Sequence, residues 1–213
     1  MKMNSLFRPL AVVTTASALL LSMGCVSGLS VQNERGVAAI RDNDFATATD
    51  NFNQILDANP DNKLALNNKG IALHEQGDYI GAIQAYDEAI EIDADYAYAY
   101  NNRGLAEFRV GNNENAIADF GEATEIEPNY YEPYHNRGVV YGVQGEYEQA
   151  AGQFNEAIEL APDDEALAHS YYERGRVYEA MGDMDMARMD YQASKDAFDI
   201  GPKVDDALAR VGS

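Results

Sequence analysis

The sequence carries one cysteine, no tryptophan and three histidines in 213 residues, and its 15 Lys and Arg are outnumbered by 36 Asp and Glu, for a formal charge of −21. Each shortage excludes something. A single thiol, Cys25, forms no intramolecular disulfide and no cysteine-rich zinc site. A surface this acidic repels phosphate, so nucleic acid is not an expected partner. His74, His135 and His169 share no repeating position and no HExxH spacing. There is no phosphate-cradling glycine loop and no GxSxG nucleophile turn. Asp183-Met184-Asp185 begins like a calcium loop but lacks the turn glycine and the closing Glu. The expectation is therefore a non-enzyme without cofactor or metal. What is present is a chain that folds: 46% hydrophobic and 10% aromatic residues are too many for a disordered acidic tail.

The amino terminus reads as an address. Lys2 and Arg8 flank the start of a mostly apolar run, Leu10 to Leu21. It is far shorter than the roughly twenty residues a membrane-spanning helix needs, so it has the form of a secretory signal peptide. Leu21-Ser22-Met23-Gly24-Cys25 follows. Small Gly24 directly before the only Cys resembles the lipobox of bacterial lipoproteins, with Ser22 where that pattern prefers Leu and Leu21 one place further back. The resemblance implies removal of residues 1–24, a diacylglyceryl group on the Cys25 sulfur and acylation of the new amino terminus. Several acyl chains give stable membrane attachment. Val26, rather than Asp, after the cysteine implies the outer membrane, facing the periplasm, by the sorting rule of Gram-negative lipoproteins. Ordinary signal cleavage with an incidental Cys25 is the alternative.

The body repeats. Gly36, Gly70, Gly104 and Gly138 are spaced 34 residues apart, and Gly175 follows after a three-residue insertion. In register with them run Ala48, Ala82, Ala116, Ala150 and Ala187; Phe52, Tyr86, Phe120, Phe154 and Tyr191; and Ile55, Ala89, Ala123, Ala157 and Ser194. Pro60, Pro128 and Pro162 close units where a helix must stop. Turn residues such as Gly77-Asp78 and Gly111-Asn112 divide each unit in two. Ile80, Ile83, Tyr86 and Ile90 recur at helical spacing after one such turn. Each unit is thus a helical hairpin that cannot bury its own apolar face and must stack on its neighbours. Glycine and alanine in fixed columns let the helices approach, and the aromatic column fills the space beside them.

These columns resemble the tetratricopeptide repeat (TPR) family. The resemblance implies an all-α, right-handed TPR superhelical solenoid of five helix-turn-helix repeats, residues 29–62, 63–96, 97–130, 131–164 and 168–201. A C-terminal capping helix (202–213) completes it, and residues 25–28 form the lipidated Cys and a tether. The family's usual first-column Trp is absent; Tyr100, Tyr134 and Tyr171 replace it in the last three units.

In that family the first helix of each unit lines a concave groove, at five places counted about the glycine. The resemblance assigns to this face an amide row, Asn33, Asn67 and Asn101, suited to holding an extended peptide backbone. It also assigns an apolar anchor patch, Ile71, Tyr98, Leu105 and Phe108, with Arg109 and His135 beside it. The amide row could instead join neighbouring units, and the apolar patch could be packing between first helices. Tyr96, Tyr98 and Tyr130 are the tyrosines nearest the inner edge. The chaperone-type carboxylate clamp is missing, although Asn68, Asn102 and Asn136 stand in its middle place. Arg35, Lys69, Arg103, Arg137 and Arg174 precede the glycine in every unit and read as ion pairs fixing the stack rather than a phosphate-reading row.

The functional expectation is a lipid-anchored periplasmic scaffold that binds peptides or helices of other cell-envelope proteins. The resemblance to small bacterial TPR lipoproteins such as new lipoprotein I implies an adaptor for peptidoglycan hydrolases and proteases. Assembly of pili, secretins or outer-membrane proteins is the alternative, and self-association into a homodimer is a further one.

Overall fold

The computed structural model describes residues 26–212, and the side chains from Ser30 onward. Cys25 and the signal segment lie outside the described residues. Eleven α-helices follow one another there: α1 Val26–Arg41, α2 Phe45–Ala58, α3 Lys63–Gln76, α4 Tyr79–Ile92, α5 Ala97–Val110, α6 Asn113–Ile126, α7 Tyr131–Gln144, α8 Tyr147–Leu160, α9 Asp164–Met181, α10 Met184–Ala197 and α11 Pro202–Val211. They form two compact units, an N-terminal stack ending at Ile126 (α1–α6) and a C-terminal stack beginning at Glu127 (α7–α11). Within each stack successive helices pack as antiparallel neighbours.

Local chemistry sets the hairpins. Gly77, Gly111, Gly145 and Gly182 end the first helices with φ between 79° and 91°, where a side chain would be strained. At the first of these, the Gly77 and Asp78 amides donate to the His74 and Leu73 carbonyls, closing the helix end. Asn43 takes the same left-handed conformation (φ 58°) in the first hairpin. Asp44, Asp78 and Asp183 then cap the second helices, each carboxylate accepting an amide three residues on.

The small and aromatic columns meet as their sizes require. A Cβ added at Gly36 would lie 2.6 Å from the Phe52 ring, at Gly138 2.9 Å from the Phe154 ring and at Gly175 2.8 Å from the Tyr191 ring. Glycine at these places lets the aromatic ring lie directly on the partner helix. Burying each such ring contributes about 1.5–3 kcal/mol. Ala89 meets Leu66, Tyr96 and Ala99, and Ala157 meets Tyr131 and Ala166, so the last small column is where the following first helix docks.

The basic column supports the stack where acids face it. In the N-terminal stack Arg103 donates from Nε and Nη2 to both oxygens of Asp119 (2.9 and 2.6 Å) and from Nη1 to Asp87 (2.6 Å), bridging α6 and α4. In the C-terminal stack Arg174 makes the same fork to Asp190 (2.7 Å twice) and reaches Asn155 on α8. All three arginines also lie over a tyrosine ring, Arg103 over Tyr100, Arg174 over Tyr171 and Arg137 over Tyr141; in the fourth repeat Gln153 stands in the place of the facing acid.

Two boundaries differ from the sequence reading. Helix α1 takes in Val26–Gly28, expected as a tether, and no proline interrupts the chain between it and Arg41. The insertion before the last repeat becomes an extra turn at the start of α9, capped by Asp163, whose carboxylate accepts the Ala166 amide at 2.7 Å. Helix α11 begins with Pro202 at its first turn, where the missing N–H costs nothing. It buries Val204, Ala207 and Val211 against Ala187 and Tyr191. Around that contact Arg210 pairs with Glu179 and Lys195 with Asp205, and Arg188 donates to the Val211 carbonyl at 2.7 Å.

Candidate protein-binding surface

In the N-terminal stack the amide row lies inside. Asn67, Asn68, Asn101 and Asn102 are fully buried. Asn101 Nδ2 donates to Asn102 Oδ1 (3.3 Å), Asn102 Nδ2 to Asn67 Oδ1 (2.9 Å), Asn67 Nδ2 to Asn68 Oδ1 (3.4 Å) and Asn68 Nδ2 to half-buried Asn33 Oδ1 (3.5 Å). The relay therefore crosses α5, α3 and α1. This is the amide row acting as a link between repeats. Buried amides need such partners, because an unmade hydrogen bond there costs about 1–3 kcal/mol.

The apolar residues assigned to the groove divide in the same way. Ile71, Leu105 and Phe108 are buried, Phe108 at 7% exposure, so they stand as packing of the first helices. Tyr98 and Arg109 are half-buried and reach solvent. Tyr98 stacks at an angle on Tyr96, 5.9 Å between centroids. Tyr96 and Tyr130 precede α5 and α7 and are buried. His74 is buried with its ring edge-on to Tyr79, 5.1 Å between centroids. The Glu75 carboxylate lies 3.5 Å from His74 Nδ1, and that contact holds the Glu75 carboxyl below its ordinary range.

In the C-terminal stack His135 is 2% exposed. Its Nδ1 lies 3.1 Å from the Ser170 hydroxyl and 3.2 Å from that of Tyr131, which donates to the Ala166 carbonyl at 2.9 Å. The ring packs edge-on to Phe154. His135 thus joins α7 to α9 from within, as the amides join the earlier repeats.

The same stack holds an opening the sequence reading did not single out. A cavity of about 220 Å³ lies among α7, α8 and α9, bordered by Val139, Gly142, Val143, Tyr147, Arg176 and Val177. Its floor is apolar: Val139, Phe154 and Val177 form one buried cluster. Its rim is accessible, with Val143 60% exposed. Arg176 donates to Glu173 at 2.6 Å along one wall. Burial pushes the Glu173 carboxyl up, against the pull of Arg176 and Lys203. Val139, Gly142, Val143 and Arg176 all belong to the inner-face columns. The signal that could have found the site is Gly142 itself, in a column otherwise filled by Ile40, His74, Phe108 and Glu179.

Among the described residues no cluster of His, Cys, Asp and Glu could hold a metal ion. No helix there is long and apolar enough to cross a membrane.

Comparison with known proteins agrees with the geometry. The TPR repeat family matches residues 70–111, and further tetratricopeptide repeat families match 51–84, 95–161 and 130–199. No protein of curated function matches the chain. Among solved structures the chain is similar to TTC0263, a thermophilic TPR protein of Thermus thermophilus: 19% identity, TM-score 0.69, 86% of this chain and 98% of that one covered. It is similar to MamA 41-end from Desulfovibrio magneticus RS-1, at 17% identity and TM-score 0.68, over 89% of this chain and 98% of that one. It also resembles a chain of the APC/C hetero-tetramer Cut9–Hcn1, at 19% identity and TM-score 0.72, over 87% of this chain and 36% of that larger one. Repeat spacing, helical hairpins and family matches coincide, and the chain belongs to the tetratricopeptide repeat family, with the all-α solenoid fold of that family.

Proposed function

We propose that this protein is a lipid-anchored periplasmic scaffold that holds segments of other cell-envelope proteins against the inner faces of its first helices. The observation that carries the reading is the open, apolar-floored cavity on the inner-face columns of α7 and α9. A repeat stack with a fully packed inner face would have nothing to offer a partner. In the N-terminal stack Tyr98 and Arg109, both half-buried, reach solvent on that face and supply an aromatic and a cationic contact. Asn67, Asn101, Ile71, Leu105, Phe108 and His135 shape that face from beneath. Lipidation of Cys25, inferred from Gly24-Cys25 at the end of the apolar run, restricts the scaffold to the outer-membrane surface. The adaptor role for peptidoglycan hydrolases and proteases follows from the same resemblance.

Crosslinking and pull-down from native membranes tests both halves. Wild type is expected in the membrane fraction with envelope proteins attached. Cys25→Ser is expected in the soluble fraction, and unchanged membrane retention would sink the anchor. Tyr98→Ala with Arg109→Ala is expected to reduce partner capture while the domain remains folded. A tight homodimer with no captured partner would overturn the scaffold reading in favour of self-assembly.

A further inference from the structure

Repeats allow a missing side chain to be seen by comparison within one molecule. In the second repeat His74 occupies the column four residues after the glycine, and its ring lies edge-on to Tyr79, nine after the glycine. In the fourth repeat the corresponding residues are Gly142 and Tyr147. Tyr147 borders the cavity, and the place of the His74 ring is empty space. A Cβ at Gly142 would meet only Val177 Cγ2 at 3.8 Å and Ala150 Cβ at 4.0 Å, which is ordinary contact. Glycine is therefore not enforced here by crowding, unlike Gly138 one turn earlier in the same helix. Inside a helix it is otherwise unfavourable relative to alanine. The third repeat fills the same column with Phe108.

Charge narrows the occupant. Between Glu127 and Gly212 there are eighteen acidic residues and seven basic ones. Five of the seven are already paired: Arg174 with Asp190, Arg176 with Glu173, Arg188 with Asp185, Lys195 with Asp205 and Arg210 with Glu179. At the cavity itself Glu173 and Arg176 offset each other, and the stack that carries it has a net charge of 7 − 18 = −11, which attracts a basic segment and repels an acidic one.

We infer that the cavity beside Gly142 is an anchor pocket for one aromatic side chain, donated by a lysine- or arginine-rich segment of a partner protein and packed edge-on to Tyr147. The inference rests on the scaffold reading and names the chemistry of what the scaffold holds. The partner's ring completes the repeat, supplying the contact that His74 makes internally two hairpins earlier.

The test uses the purified protein and three capped pentapeptides, Lys-Lys-Phe-Lys-Lys, Lys-Lys-Ala-Lys-Lys and Glu-Glu-Phe-Glu-Glu, titrated at low salt. The first is expected to bind about tenfold or more tightly than either of the others. It is expected to shift the methyl resonances of Val139, Val143 and Val177 in wild-type protein. Gly142→Phe, which fills the pocket from within, is expected to lose that binding. Gly142→Ala, which leaves most of the space, is expected to keep it. Equal binding of the first two peptides, unshifted valine methyls, or undiminished binding by a folded Gly142→Phe protein would each overturn the pocket. The valine shifts decide the matter if Gly142→Phe fails to fold. Pull-down separates the two readings. Envelope proteins captured equally by wild type and Gly142→Phe leave the scaffold standing and remove the pocket. Peptide binding without any captured envelope protein does the reverse.

Discussion

The two stacks are built on the same columns and use their inner faces differently. In the N-terminal stack the column after the glycine is filled by His74 and Phe108, and a relay of amides locks the first helices together. In the C-terminal stack the same column holds Gly142, the link between first helices is the Tyr131–His135–Ser170 cluster, and a cavity is left open. The columns that make a hairpin are alike in both, while those facing inward diverge. A repeat protein can therefore change what it binds without changing how it stands.

The comparison can be broken at its strongest point first. Arg103→Ala strands Asp119, whose side chain is 8% exposed, without its forked partner, and is expected to cost about 2–4 kcal/mol in urea unfolding. Arg137→Ala, in the equivalent column of the fourth repeat, where Gln153 replaces the facing acid, is expected to cost less than about 1 kcal/mol. A similar loss from both would show that the facing acids make no difference to what the column contributes.

Asn102→Ala removes the donor to Asn67 and the acceptor of Asn101. Unsatisfied buried amides predict a loss of about 1–3 kcal/mol, with amide exchange rising along α3 and α5. A silent substitution would mean that water replaces the link.

Two glycines in α7 sharpen the contrast between architecture and binding face. Gly138→Ala drives a methyl to within 2.9 Å of the Phe154 ring and is expected to destabilise by about 1–3 kcal/mol. Gly142→Ala meets no such contact and is expected to stabilise by about 0.5–1 kcal/mol through helix propensity. Thermal melts of the pair suffice, and the same sign for both would sink the distinction.

The smallest effect concerns the cap. The hydrogen bond from Arg210 holds the Glu179 carboxyl below its ordinary value of 4.5, helped by the Tyr191 hydroxyl. A lowered folded-state value means this stabilisation is present above pH 4.5 and is lost as pH falls through the folded value beneath it. Because Arg210 is more than half exposed, the contribution is below about 1 kcal/mol. Glu179→Gln is expected to flatten the acid limb of stability slightly; an unchanged pH profile would remove the pair from the account.

The hairpins were legible because their requirements are local and recur. Glycine against an aromatic ring, alanine where the next helix docks and Asp after a turn glycine each follow from size or backbone angle, and five copies align them. The expected ion pairs of the basic column hold for Arg103 and Arg174, where the acids at Asp119 and Asp190 supply the partner. The inner face was less legible, because a side chain on an inward column can point to solvent or to the neighbouring first helix. Asn67 and Asn101 fit a peptide backbone as well as they fit each other, and sequence spacing does not say which is nearer. Burial separates them: those amides and Phe108 face the interior, while Tyr98 and Arg109 keep a solvent edge. The pocket was hidden for a different reason. A missing side chain carries no motif, and Gly142 shows its meaning only when Tyr147 and Val177 are seen around it.

The amide relay has a direction. From Asn101 through Asn102, Asn67 and Asn68 to Asn33, each amide nitrogen donates to the oxygen of the next, so both links between helices run from the later helix to the earlier one and the amides polarise one another. Turning any interior member end for end would set nitrogen against nitrogen on one side and oxygen against oxygen on the other. The orientation of one carboxamide thus dictates that of all, and three hairpins share a single polarity that none of them could hold alone.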